Sequence, residues 1–254
     1  TRRSSDLYRM FKGSVIESMY RGICPGNIAM TSSLDPYRGD CIRDFGFIGI
    51  TARAVVEGLF GVHPNLIQNE LLFAPGWPSE WAHVEFRHPK IGCSFERDGS
   101  IDRYQFNSQF GQSLTLRMYV DARHEDVRVL VDGELVEVKV ADDSVSVLPK
   151  LELAIDLNES VVIEFQWKGA ALRGNREPHL VLDGLETKLA TTSNVLEIKD
   201  PQGVFEDVSI RQGSAYVRSR ANRSGHYSAF ALLEEGAWKW WAPLSIELRP
   251  ALER

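Results

Sequence analysis

The chain has 254 residues, 43% hydrophobic and 25% charged, a globular composition with room for one large domain or two ordinary ones. Its net charge of -6, with no dense Lys/Arg cluster, argues against a nucleic-acid surface. No apolar run approaches the ~20 residues of a membrane-spanning helix, and no basic segment followed by an apolar one marks a signal peptide at its start.

Over residues 5–20, Leu7, Phe11, Val15 and Met19 recur at helical spacing, with Ser4 or Ser5 placed to cap and Asp6 in the first turn. Gly22, Pro25 and Gly26 end that pattern, and a Gly-, Pro-, Asp- and Ser-rich loop runs to Phe47. A loop of this length inside a compact domain points to a functional or surface-covering role. A second helix follows, with Ile48, Ala52, Val55 and Leu59 on one stripe that Ile50, Ala54 and Val56 widen. Gly61 and Pro64 stop it. Two helices this apolar cannot bury each other's surface alone. They must cover a sheet, meet helices of another chain, or belong to a larger helical part.

From residue 71 the period changes to two. Val84, Phe86 and His88 alternate with Glu85 and Arg87, and Asp98-Gly99 marks a hairpin turn. LTLRMYV is a further strand, and VRVLVDGELVEVKV predicts a hairpin turning at Asp132-Gly133. LELAIDL and VVIEFQW complete a set of short strands sufficient for an antiparallel sandwich, with Leu114, Leu116, Met118, Val127, Val129 and Val131 facing inward. The Gly-, Arg-, Asn- and Pro-containing stretch GAALRGNREPHLVLDG places a boundary near residues 168–195. Beyond it, GVFEDVSI, GSAYVRSR, HYSAFALL and LSIELR form a second small sheet or return to the first. The predicted fold is mainly β, organised as helices and loop over 1–66, an antiparallel β-sandwich over 67–168, and an additional β-rich segment or second small β domain over 169–254.

Polar groups crowd into MTSSLDPYRGDCIRDFGF, where Asp35, Asp40 and Asp44 stand beside Arg38 and Arg43. Carboxylates held by guanidinium groups in a loop above a helix are a common way to bind a polar substrate. The same residues also fit an Asx-turn at Asp35, an ion pair of Asp40 with Arg43 or Arg38, and an N-cap at Asp44. Trp238, Trp240 and Trp241 in GAWKWWAP offer aromatic faces for a sugar ring or, alternatively, a core plug. Adjacent Trp240 and Trp241 should point in opposite directions on a strand, so Trp240 enters the candidate sugar-contact set with one of the pair inward. Glu57 is placed to pair with Arg53 at i,i+4. The six histidines nominate no metal site, and no phosphate loop, nucleophile elbow or cofactor motif is present. Cys24, Cys41 and Cys93 fit buried free thiols, with a Cys24–Cys41 bridge as the alternative.

The stretch GDCIRDFGFIGITARAVVEGLFGVHPN followed by LLFAPGWPSEWAHVEFRHPKIGCSFERDG resembles the C-terminal part of bacterial six-hairpin glycoside hydrolases of the α-L-rhamnosidase-like group. In those enzymes the last helix of an (α/α)6 toroid leads into a β-sandwich. The resemblance covers roughly residues 20–125 and implies that Ala52 to Phe60 close a helical ring. It implies further that Trp77 and Trp81 seat the sandwich and that the Asp35–Asp44 loop lines a sugar-binding mouth. The general acid of such enzymes comes from earlier in the toroid, so no residue here is assigned to catalysis. The implied partners are carbohydrate and an N-terminal helical part of the same protein, on this chain or as a separate one. The location stays open, with the bacterial periplasm or the cell exterior favoured over the cytoplasm. Two functions follow as alternatives: the C-terminal part of a glycoside hydrolase with a supporting sandwich, or a non-catalytic carbohydrate-binding or structural β module.

Overall fold

The computed structural model describes residues 53–141, 144–174, 177–221 and 223–250, together with Lys12. The predicted first helix and the Asp35–Asp44 loop lie outside the described residues. The described part of the second helix is one π-type stretch, Ala54–Leu59, in which Phe60 N donates to Val55 O at 2.9 Å. Leu59 is its buried residue, and Arg53 Nε donates to Glu57 at 2.8 Å on the solvent side. Gly61 ends it with φ 69, and a side chain there would put Cβ 2.1 Å from Ala74 O, so only glycine fits. Among the described residues this is the sole helical stretch longer than an isolated residue, and no toroid is built from it.

Among the described residues eighteen strands follow. They are β1 (Val62–Asn65), β2 (Glu70–Phe73), β3 (His83–His88), β4 (Ile91–Asp98), β5 (Ile101–Ser108), β6 (Leu114–Asp121), β7 (His124–Val131), β8 (Glu134–Val136) and β9 (Lys139–Val140). The chain continues through β10 (Lys150–Leu157), β11 (Ser160–Ala171), β12 (His179–Leu182), β13 (Glu186–Lys188) and β14 (Asn194–Lys199). It ends with β15 (Phe205–Arg211), β16 (Ser214–Ser219), β17 (Gly225–Glu235) and β18 (Trp238–Arg249). The sheets have the orders β1-β2-β6-β10-β9, β3-β4-β5-β11-β7-β8, β12-β18-β17-β14 and β13-β16-β15. The chain divides into two compact units. The first holds the described residues up to Val120 with Leu130–Glu134 and Leu153–Glu164; the second holds Asp121–Val129, Leu135–Glu152 and the chain from Phe165.

In the first unit, β2 and β6 turn Leu71, Phe73, Leu114, Leu116 and Met118 toward the inner face of β4 and β5, where Phe95, Tyr104 and Phe106 are buried. The Phe73 ring meets Phe106 edge-on at 4.9 Å and Tyr104 at 6.0 Å. Trp77 packs against Phe73, Phe95 and Tyr104 in the same cluster. Arg97 and Asp102 face each other across the β4–β5 hairpin and pair at 2.7 Å, with Asp102 only 2% exposed. Arg97 also donates to Ser79 O, so the guanidinium ties the Trp77 loop to the hairpin. A carboxylate this deep is retained because it is paired.

Among the described residues the strand pattern departs from a purely antiparallel sandwich. β2 runs parallel to β6, and β12 runs parallel to β18. Parallel neighbours need a long crossover, which β3, β4 and β5 supply for β2 and β6 by forming part of another sheet before the chain returns. The hairpins are where the turn chemistry places them. Asp132 and Gly133 have φ 50 and 87, a two-residue turn of the I′ kind, between β7 and β8. Leu114, Leu116, Met118 and Val129 are buried as the alternation predicts, while Val127 and Val131 are only half-buried.

In the second unit, β12-β18-β17-β14 and β13-β16-β15 follow the order of an immunoglobulin-type sandwich. Val181, Val195, Val217, Ala229, Ala231, Leu244 and Ile246 form its core. Tyr227 near the start of β17 donates its hydroxyl to Ser224 O at 3.0 Å, the geometry of a tyrosine corner. Pro243 sits within β18 without cost to a ladder, because β12 pairs only with Ile246 to Arg249. The β17–β18 turn rests on β7: Ala237 N donates to Glu125 O at 2.8 Å and Trp238 Nε1 to His124 O at 2.7 Å. The Glu125 carboxylate in turn accepts from Ala170 N at 2.8 Å.

Two outcomes test these contacts. Gly236 has φ 58, and a Cβ there would lie 2.4 Å from Glu125 O, so Gly236→Ala is expected to lower the urea-unfolding free energy by more than about 1 kcal/mol. His179 is buried and accepts from Ala190 N at 3.2 Å through Nδ1, and burial pushes its pKa below the ordinary histidine value. Its stabilising contribution is therefore fully present above the unfolded-state pKa of about 6.5 and lost as pH falls below it. The urea midpoint of the native chain should fall between pH 7.5 and pH 5 more steeply than that of His179→Gln.

Candidate functional site

Five of the six sequence-predicted contact residues, Asp35, Arg38, Asp40, Arg43 and Asp44, lie outside the described residues. The sixth, Trp240, is 4% exposed. It follows Trp238 inward along β18, while Lys239 between them points out. A ring held in the core has no face to offer a sugar, and strand alternation is the reason. Trp241 is the half-exposed member of the pair, and the Lys199 ammonium stands 4.0 Å over its ring. The tryptophan cluster is thus a core feature with one capped outer ring. Among the described residues no three His, Cys, Asp or Glu side chains converge as metal ligands. Cys93 is a buried thiol whose pKa burial pushes up, which keeps it protonated and inert.

A concave polar site occurs at one end of the first unit. It is a cleft of about 730 Å³, within the size range of small-molecule sites. The chain passes from one sheet to the other twice here, from β5 to β6 through residues 109–113 and from β10 to β11 through Asn158 and Glu159. Ser108 N donates to Glu159 O at 2.7 Å and binds the two crossings together. Gly111, with φ 74, turns the first crossing, and Gln112 Nε2 is held by Asn69 Oδ1 at 2.9 Å. On the near side, Gln109 N donates to Lys90 O at 2.9 Å. The backbone of the cleft is therefore fixed from three directions.

Its lining is chemically uniform. Asn107, Gln109, Gln112 and Asn158 bring amides, Ser108, Ser113 and Ser160 bring hydroxyls, and Glu159 brings the single carboxylate. No aromatic ring and no cation is among them. Ser108 is the inward residue of its strand end, 7% exposed, and its hydroxyl has no hydrogen-bond partner. The oxygen itself is fully buried, so it lies behind the lining rather than open to the cleft, and buried hydroxyls are ordinarily satisfied. Such a set can donate to and accept from neutral hydroxyl groups. It lacks the two carboxyl groups, about 5–5.5 or 6.5–9.5 Å apart, that glycoside hydrolysis requires. These residues do not stand out in the sequence, because NSQFGQS and LNES lie about fifty positions apart and each stretch alone reads as a turn. Their only signal is the density of amides and hydroxyls.

No protein-family profile and no curated protein matches the chain. Solved structures do align with it. A chimeric titin Z1Z2-Z1Z2 tandem functionalised with a GRGDS peptide from fibronectin aligns at 15% identity over 61% of this chain and 93% of its own, with a TM-score of 0.22. The Bacteroides ovatus mixed-linkage glucan utilization locus protein SGBP-B, in complex with a mixed-linkage heptasaccharide, aligns at 8% identity over 65% of this chain and 54% of its own, with a TM-score of 0.20. Superpositions at that level do not define a shared fold, and the site rests on its own geometry.

The unpaired Ser108 hydroxyl makes a specific stability outcome. Leaving a buried hydroxyl unsatisfied costs roughly 1–3 kcal/mol, so Ser108→Ala should leave the ligand-free protein as stable as before or more so by about 1 kcal/mol in urea titration. A loss of stability on that substitution would mean that the hydroxyl is already satisfied.

Proposed function

We propose that the chain is a β-rich, non-catalytic module that binds neutral carbohydrate in the cleft formed by residues 107–113 and 158–160. The observation that carries this reading is the lining itself: amides and hydroxyls that match the donor and acceptor pattern of sugar hydroxyls, with one carboxyl group and no second to complete an acid–base pair. The cleft is built on two inter-sheet crossings rather than on a free loop, which favours a preformed site with little ordering cost on binding.

In this reading the module accompanies a hydrolytic partner rather than cleaving sugar itself. The sequence resemblance to six-hairpin glycoside hydrolases supports a toroid as that partner, supplied by an N-terminal helical part of the protein. The described residues contribute a single π-type stretch to such a part.

Affinity electrophoresis on gels containing soluble neutral polysaccharides tests the proposal. The native chain should be retarded by at least one of them and release no reducing ends. The double substitution Gln112→Ala and Asn158→Ala removes two exposed amides, each hydrogen bond being worth about 0.5–1.5 kcal/mol, and should weaken retention roughly tenfold or more without altering the urea midpoint. Equal migration of native chain and variant in every gel would overturn the proposal.

A further inference from the structure

The outer face of β3, β4 and β5 continues the cleft. A shallow groove of about 390 Å³ crosses these strands and shares Asn107 and Gln109 with the cleft. Strand register sets its floor in two rows. Glu85 stands opposite Ser94, and Ser94 opposite Gln105; Arg87 stands opposite Gly92, and Gly92 opposite Asn107. All six lie on the outward side of strands whose inward side is Val84, Phe95, Tyr104 and Phe106. Glu85 Oε1 accepts from Arg87 Nε at 2.7 Å, so the two charges of the groove neutralise and orient each other. The groove is therefore as neutral and as rich in donors and acceptors as the cleft it joins.

Gly92 is the position that makes it a groove. It is the second residue of β4, in register between Arg87 and Asn107, where a side chain would stand up between them. Its backbone does not require glycine: φ is not in the left-handed region, and an added Cβ would meet nothing closer than 3.9 Å, at Asn107 and Phe86 O. What the missing side chain leaves is open space on the polar face. The registers on both sides run without a bulge, and close approach of a ligand is a use of a strand glycine that fits this position.

We infer that the site takes a chain of several sugar units, with one end in the cleft and the rest lying across Gly92 on the β3–β5 face. The inference rests on the carbohydrate reading of the cleft and adds the length of the ligand and its path. Two strand spacings of roughly 4.8 Å each separate β5 from β3, so the groove extends the contact by more than the cleft alone can offer. Selectivity for longer chains then comes from the outer face, and Gly92 is its specificity-determining position.

Calorimetric titration with neutral gluco-, manno-, xylo- and galacto-oligosaccharides of two and six units tests this on the whole chain. For a sugar that binds, the six-unit chain should bind at least about tenfold more tightly than the two-unit one. Gly92→Leu fills the groove where the backbone tolerates a side chain, and it should bring that ratio down to about one. Gln105→Ala, which removes a polar group from the same face, should lower the ratio in the same direction, and the urea midpoint of each variant checks its folding. Binding with no length dependence would overturn the extended path while leaving sugar binding in the cleft intact. A length dependence that survives both substitutions would place the rest of the ligand elsewhere and overturn it too. Absence of binding to every oligosaccharide would overturn both the path and the carbohydrate reading.

Discussion

The first unit depends on the edge-on packing of Phe73 against Phe106. Phe73 comes from β2 and Phe106 from β5, so a single ring contact at 4.9 Å joins two sheets. Trp77, Phe95 and Tyr104 enclose it. Aromatic pairs of this kind contribute about 0.5–1.5 kcal/mol beyond the area they bury. A few of them together are a sizeable fraction of the 5–15 kcal/mol of net stability that a domain possesses. The cluster also explains Arg97 and Asp102. Their pairing and the bond to Ser79 O keep the loop that carries Trp77 pressed onto the hairpin that carries Phe95 and Tyr104.

With the inner face committed to this core, the polar chemistry is left to the outer face and to the crossings. β5 shows the division along one strand. Tyr104 and Phe106 go inward, Gln105 and Asn107 go outward, and Ser108 is the last inward residue, where aromatic neighbours give way to the cleft. Crossings between sheets bring amides and hydroxyls together easily, but here they bring only one carboxylate, Glu159.

The second unit is organised differently, by backbone contacts around Glu125. Its carbonyl accepts from the β17–β18 turn and its carboxylate from Ala170. Gly236 and Gly169, both with positive φ, allow those close approaches. The long β17–β18 hairpin that starts from this turn carries the tryptophans. Trp238 is anchored by its indole N–H on His124 O, and Trp240 lies in the core beside it in the strand. The aromatic cluster that reads as a sugar platform in one dimension is spent mainly on packing.

By itself the sequence determined the strands of LTLRMYV, VRVLV, LELAIDL and VVIEFQW, the turns at Asp98-Gly99 and Asp132-Gly133, and which side chains of β6 are buried. Those are local matters: a period of two, an Asp-Gly pair, and the alternation of Leu114, Leu116 and Met118 decide them within a few residues. It also determined that Trp240 and Trp241 face opposite ways, but not which of them faces in. That choice, the parallel pairing of β2 with β6 and of β12 with β18, and the immunoglobulin-type order of the second unit were decided by the tertiary structure. So was the cleft, whose two walls are about fifty residues apart in the chain and meet through Ser108 N and Glu159 O. The physical reason is common to all of them. Alternation and turn propensity act between neighbours along the chain, whereas sheet partners and convergent polar groups are selected by burial across it.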